Sequence, residues 1–99
     1  MYGTIARYRL KPGAEAQLEE QSRIFQAAKV PGFIGTYIYR MDADQHEYYL
    51  AVLFTSKEAY MANARSPEQD ARYRQMLQLL EEEPEWHDGE VVYVEKPLA

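Results

Sequence analysis

The chain has 99 residues and a formal net charge of −5: enough for one domain with one core, and too acidic, with its Lys and Arg scattered, for general affinity to nucleic-acid phosphates. Cysteine is absent, which excludes disulfides, thiolate catalysis and cysteine-held metal. No apolar run approaches the roughly 20 residues of a membrane-spanning helix, and Met1-Tyr2-Gly3-Thr4-Ile5 lacks a signal-peptide core, so a cytoplasmic location away from membranes is expected.

The first element is a strand over residues 2–10. Tyr2, Thr4, Ala6, Tyr8 and Leu10 fall on one face, and Gly3, Ile5, Arg7 and Arg9 on the other. Lys11-Pro12-Gly13 is a turn that stops it. A helix over residues 14–29 follows, with Leu18, Ser22, Phe25 and Ala28 in one stripe and Ile24 alongside. Val30-Pro31-Gly32 ends it. The second strand covers residues 33–41, with Phe33, Gly35, Tyr37 and Tyr39 expected on one face. Asp42-Ala43-Asp44-Gln45 is a polar connection that makes strands two and three a hairpin.

The third strand, residues 46–54, is a continuous apolar and aromatic run, Tyr48-Tyr49-Leu50-Ala51-Val52-Leu53-Phe54. A run without strict alternation predicts burial on both faces. Thr55 and Glu58 form a capping box opening a short helix to residue 65. Ser66, Pro67 and Gln69 supply N-cap, first-position proline and a second capping box for a helix running to about Glu83. Tyr73, Leu77 and Leu80, with Met76 and Ala71, are its buried stripe. Glu81, Glu82 and Glu83 then sit at a helix C-terminus, where the dipole disfavours them. Trp86-His87-Asp88-Gly89 is read as a turn or bulge before strand four, residues 90–96, and a tail over 97–99.

The order predicts an α+β, ferredoxin-like split βαβ fold: a four-stranded antiparallel sheet with helices on one face. The uncovered face carries bulky residues, so a homodimer packed through that open sheet face is expected.

The length, the strand order, the buried run into Thr55-Ser56-Lys57-Glu58-Ala59-Tyr60 and the restart at Ser66-Pro67-Glu68 resemble the dimeric α+β barrel superfamily. Within it the chain is similar to the antibiotic biosynthesis monooxygenase-like domains over nearly its whole length. The superfamily includes cofactor-independent oxygenases, haem-degrading monooxygenases and isomerases. The haem-degrading members resemble one another in an Asn, a Trp and a His at positions that fall here on Arg7, Asn63 and Tyr73. None has the required type, so no haem and no other cofactor is expected.

For a cofactor-independent monooxygenase, the resemblance implies a dry pocket that lets a small aromatic or polyketide-like compound lose a proton and react with oxygen. Arg7, Asn63 and Tyr73 are the candidate catalytic residues, and Tyr37, Tyr49 and Tyr60 the candidate substrate-binding ones, around the space between sheet and helices. Arg7 would hold an anionic oxygen, or else pair with an acid at the dimer rim. Asn63 would orient a carbonyl, or else be a polar residue at a helix end. His46 and His87 lie beside turns with no metal-ligand spacing. The alternatives are a module that binds a small ligand without turnover and a structural or interaction domain with a collapsed pocket.

Overall fold

Strand β1 (Tyr2–Arg9) pairs along both edges, antiparallel to β3 (Glu47–Phe54) on one side and to β4 (Glu85–Glu90) on the other. β2 (Phe33–Arg40) adds to β3, giving one antiparallel sheet in the order β2-β3-β1-β4. Helices α1 (Glu15–Ala27), α2 (Lys57–Ala64) and α3 (Pro67–Leu77) complete the element order. The computed structural model describes residues 1–98. Ala99, the end of the expected tail, lies outside the described residues. The α+β ferredoxin-like fold is therefore as expected.

Strand alternation decides what each face holds. Thr4, Ala6 and Tyr8 of β1 are buried beneath the helices, in line with Val52, Leu50 and Tyr48 of β3. Ile5, Arg7 and Arg9 point the other way, beside Ala51, Tyr49 and Glu47. The closed core gathers at one end, where Ala6, Tyr8, Leu10, Ala14, Tyr48, Leu50 and Leu80 pack together. β3 is buried on the helix side, but Tyr49, Ala51 and Leu53 on the open side are only half-buried within one chain.

Several boundaries differ from the sequence reading, each for a local reason. α2 is capped by Ser56, whose hydroxyl accepts from the Ala59 amide at 3.1 Å. The expected box at Thr55 does not form, because the Thr55 amide that Glu58 would have accepted from donates instead to the Gly32 carbonyl at 2.8 Å. The Ser66 cap and Pro67 are as expected, but the Gln69 side chain does not close a box: it accepts from Arg72 Nε at 3.0 Å. α3 stops at Leu77 rather than Glu83. The chain then joins the end of β1: the Lys11 amide donates to the Leu79 carbonyl, and the Glu81 amide to that of Arg9. Sheet hydrogen bonds replace the last helical turns, and Glu81 meets Arg9 instead of a helix C-terminus. Trp86, His87, Asp88 and Gly89 lie inside β4, not before it, and β4 ends at Glu90. Tyr2 pairs with Glu90, and after it the Val91 amide donates to the carbonyl of Met1, the first residue of the sequence, at 2.9 Å. In β2 a register shift between Phe33 and Gly35 turns Phe33 to the helix side, where its ring meets Phe25 and Phe54, away from Tyr37 and Tyr39.

Candidate functional site

No residue of α1, α2 or α3 is fully buried. The helices stand off the sheet, and between them lies an open cavity of about 560 Å³. α1 turns Leu18, Gln21, Ser22 and Phe25 toward it, and α3 turns Gln69, Arg72, Tyr73 and Met76; both sets have the spacing of one helix face. The sheet supplies Thr4, Tyr8, Leu50, Val52, Thr36, Ile38 and Trp86 as its floor.

Aromatic rings shape the cavity. Phe25, Phe33, Phe54 and Tyr60 form an edge-to-face chain, with neighbouring centroids 4.8, 5.6 and 5.6 Å apart. This geometry sets the positive ring edges against negative faces. Tyr73 and Trp86 make a second pair at 5.9 Å.

The wall also carries neutral polar side chains, among them Gln21, Ser22, Thr36, Gln69 and Gln75. Tyr60 donates to Asp88 Oδ1 at 2.8 Å; burial, with this bond to a carboxylate, pushes its phenol up to about 12. Tyr8 Oη and Thr4 Oγ1 are buried without a hydrogen-bond partner, and burial, followed by the neighbouring Tyr48, raises the Tyr8 phenol as well. Asn63 Oδ1 accepts from Arg72 Nη2 at 3.3 Å.

A sequence profile described as antibiotic biosynthesis monooxygenase matches residues 1–84. The chain belongs to the antibiotic biosynthesis monooxygenase family. Solved structures share its fold at low identity. A mutant of SnoaB, a cofactor-independent oxygenase from Streptomyces nogalater, is 18% identical with a TM-score of 0.78, covering 94% of each chain. A conserved protein from Methanosarcina mazei is 14% identical with a TM-score of 0.74, covering 89% of each chain. Another structure described as an antibiotic biosynthesis monooxygenase is 12% identical with a TM-score of 0.72, covering 94% of this chain and all of that one. No curated protein matches the chain.

Within this member of the family, the six residues singled out by sequence fall into two groups. Tyr60, Asn63 and Tyr73 line the cavity. Arg7, Tyr37 and Tyr49 do not: β1, β2 and β3 turn them to the opposite sheet face, where Arg7 and Tyr49 are cross-strand neighbours and Tyr37 is 65% exposed. The expectation that all six surround the space between sheet and helices is thus corrected. Alternation decides it, since Arg7 follows Ala6 and must leave the helix face. Arg7 meets Glu47 at 2.6 Å and Glu85 at 3.3 Å, which raises its pKa chiefly through the hydrogen bond to Glu47. This matches the other reading of Arg7, a residue paired with acids.

The residues missed by sequence are Thr4, Tyr8, Arg72 and Trp86. In the sequence Arg72 stands among the charged residues Glu68, Asp70 and Arg74, which gives it no distinguishing mark. The spacing of Gln69, Arg72, Tyr73 and Met76 was the available signal, since it marks a single helix face.

Proposed function

We propose that the protein is a cofactor-independent monooxygenase acting on a small aromatic or polyketide-like compound. The observation that carries this reading is the cavity itself: about 560 Å³, walled by aromatic and aliphatic side chains with neutral polar ones among them, which is the form of a site for a flat apolar molecule. Family membership and the SnoaB fold support it.

In this reading the substrate is an anthrone-like ring with an activated methylene. Loss of a proton gives its enolate, which passes one electron to dioxygen. The two radicals join at carbon, and the peroxide loses water to leave a carbonyl. The sum is CH2 plus O2 giving C=O plus H2O, with no external reductant. The edge-to-face rings hold the substrate plane and exclude water, Asn63 orients an oxygen, and Tyr73 with Trp86 closes one end.

Oxygen uptake by the purified, chelator-treated protein with a panel of anthrones and quinols tests this. Turnover with one equivalent of oxygen per product is expected. A panel without uptake, with ligand binding intact, would support the module that holds a small molecule without turnover.

The same reading takes the protein as a homodimer through the open sheet face. Ile5, Tyr37 and Tyr39 stand 58%, 65% and 57% exposed there, a bulky patch of the kind that a second copy covers.

A further inference from the structure

Arg72 is the charged side chain of the cavity wall among the described residues. It is half-buried, yet among the described residues no carboxylate makes an ion pair with it; Arg40 and Arg65 also lack one but are exposed, and Arg7, Arg9, Arg23 and Arg74 each have at least one. Glu68, one turn earlier on α3, lines a second hollow behind Arg72 and Asn63 but makes no ion pair with it.

The guanidinium is nevertheless held in place. Nε donates to Gln69 Oε1 at 3.0 Å and Nη2 to Asn63 Oδ1 at 3.3 Å. Its carbon lies 5.1 Å from the centroid of the Phe25 ring. Both acceptors are neutral amides, so the charge is positioned but not neutralised. A guanidinium has donors only. Asn63 must therefore show it the amide oxygen, which leaves Asn63 Nδ2 with two protons and, among the described residues, no hydrogen-bond acceptor. Nη1 of Arg72 is likewise uncommitted. Arg72 and Asn63, each with unused donors, thus line the cavity beside the Phe25 ring.

We propose that the cavity takes its ligand as an anion, a flat aromatic body bearing a planar oxyanion that is seated on Arg72 Nη1 and Asn63 Nδ2. Charge-assisted bonds to a guanidinium are the strong ones, and their planarity selects carboxylates and enolates. Among the described residues the cavity wall holds no carboxylate or imidazole to act as base, and Tyr60 and Tyr8 are held neutral by burial. Electrostatic stabilisation of the conjugate base by Arg72 supplies what a strong base otherwise would. This inference rests on the cavity being a ligand site, not on turnover.

Titration calorimetry with 2-naphthoate and its methyl ester tests it on the wild-type protein, Arg72→Gln and Arg72→Lys, with thermal melts to verify folding. The wild type is expected to bind the carboxylate at least about tenfold more tightly than the ester. Arg72→Gln should abolish that preference while leaving ester affinity unchanged, and Arg72→Lys should retain part of it. A preference below tenfold, or one that survives in Arg72→Gln, overturns the proposal. Equal binding of both compounds would remove the anion preference alone, and binding of neither would remove the ligand site as well.

Discussion

The rings of Tyr8 and Tyr48 lie 5.4 Å apart with planes only 4° from parallel. They sit opposite one another on β1 and β3, so the stack fixes the Tyr8 ring on the cavity floor. Its hydroxyl is buried and has no protein partner. A buried hydroxyl without a partner costs stability rather than adding to it. Tyr8→Phe should therefore keep the stack and leave stability unchanged or higher by about 1 kcal/mol, measured by urea denaturation. Destabilisation by Tyr8→Phe would mean that the hydroxyl is satisfied within the fold.

The second prediction concerns acid stability. Asp44 accepts from Arg9 Nη1 at 2.6 Å and from the His46 amide at 3.0 Å. The Arg9 hydrogen bond, and then the His46 amide, hold its carboxyl below the usual carboxylate range. The folded chain thus binds this proton less readily than the unfolded chain. Its contribution is full above the unfolded value, about 3.9, and is lost as pH falls through the lower folded value. Wild type and Asp44→Asn should differ in urea midpoint at pH 7 and converge at pH 2. A constant difference across that range would place the effect elsewhere.

Tyr37 offers a test of the open face. Its side chain is 65% exposed in one chain, so an aspartate there costs the protomer little. In a dimer packed through this face it would bury an unpaired charge, at a cost of several kcal/mol. Tyr37→Asp should be folded by circular dichroism and monomeric by light scattering at concentrations where the wild type is dimeric. A dimeric Tyr37→Asp would show that association uses another surface.

The architecture was legible because its signals are local and periodic. The alternation of Thr4, Ala6 and Tyr8 declares a buried face, and the stripe of Leu18, Ser22 and Phe25 a face turned to the cavity. The end of α3 was not legible. Residues 78–83 read as helix, and only the pairing of Leu10 with Leu80 shows that the sheet edge claims them. β4 was misplaced for a related reason: Asp88-Gly89 has turn chemistry, but Thr4 and Gly3 stand opposite as strand partners. The site was half legible. Asn63 and Tyr73 came through the resemblance to the family's site positions, and they line the cavity with Tyr60. Arg72 was not legible, since its lack of an acidic partner is a property of the folded chain.

The last prediction follows from the side of the sheet that holds Arg7. If Arg7 lined the cavity, Arg7→Ala would abolish ligand binding. It instead joins Glu47 and Glu85 on the far face, with Ala6 between it and Tyr8 in sequence. Arg7→Ala should leave affinity for an aromatic ligand unchanged within about twofold. The ion pairs are partly exposed and screened by solvent, so only a small loss of stability is expected. Removing Arg7 also leaves Glu47 and Glu85 as unpaired like charges on the face where a second copy would pack. Dimer dissociation should therefore increase more than protomer unfolding does. Calorimetric titration together with sedimentation separates the two effects. A collapse of ligand affinity with the dimer intact would return Arg7 to the site.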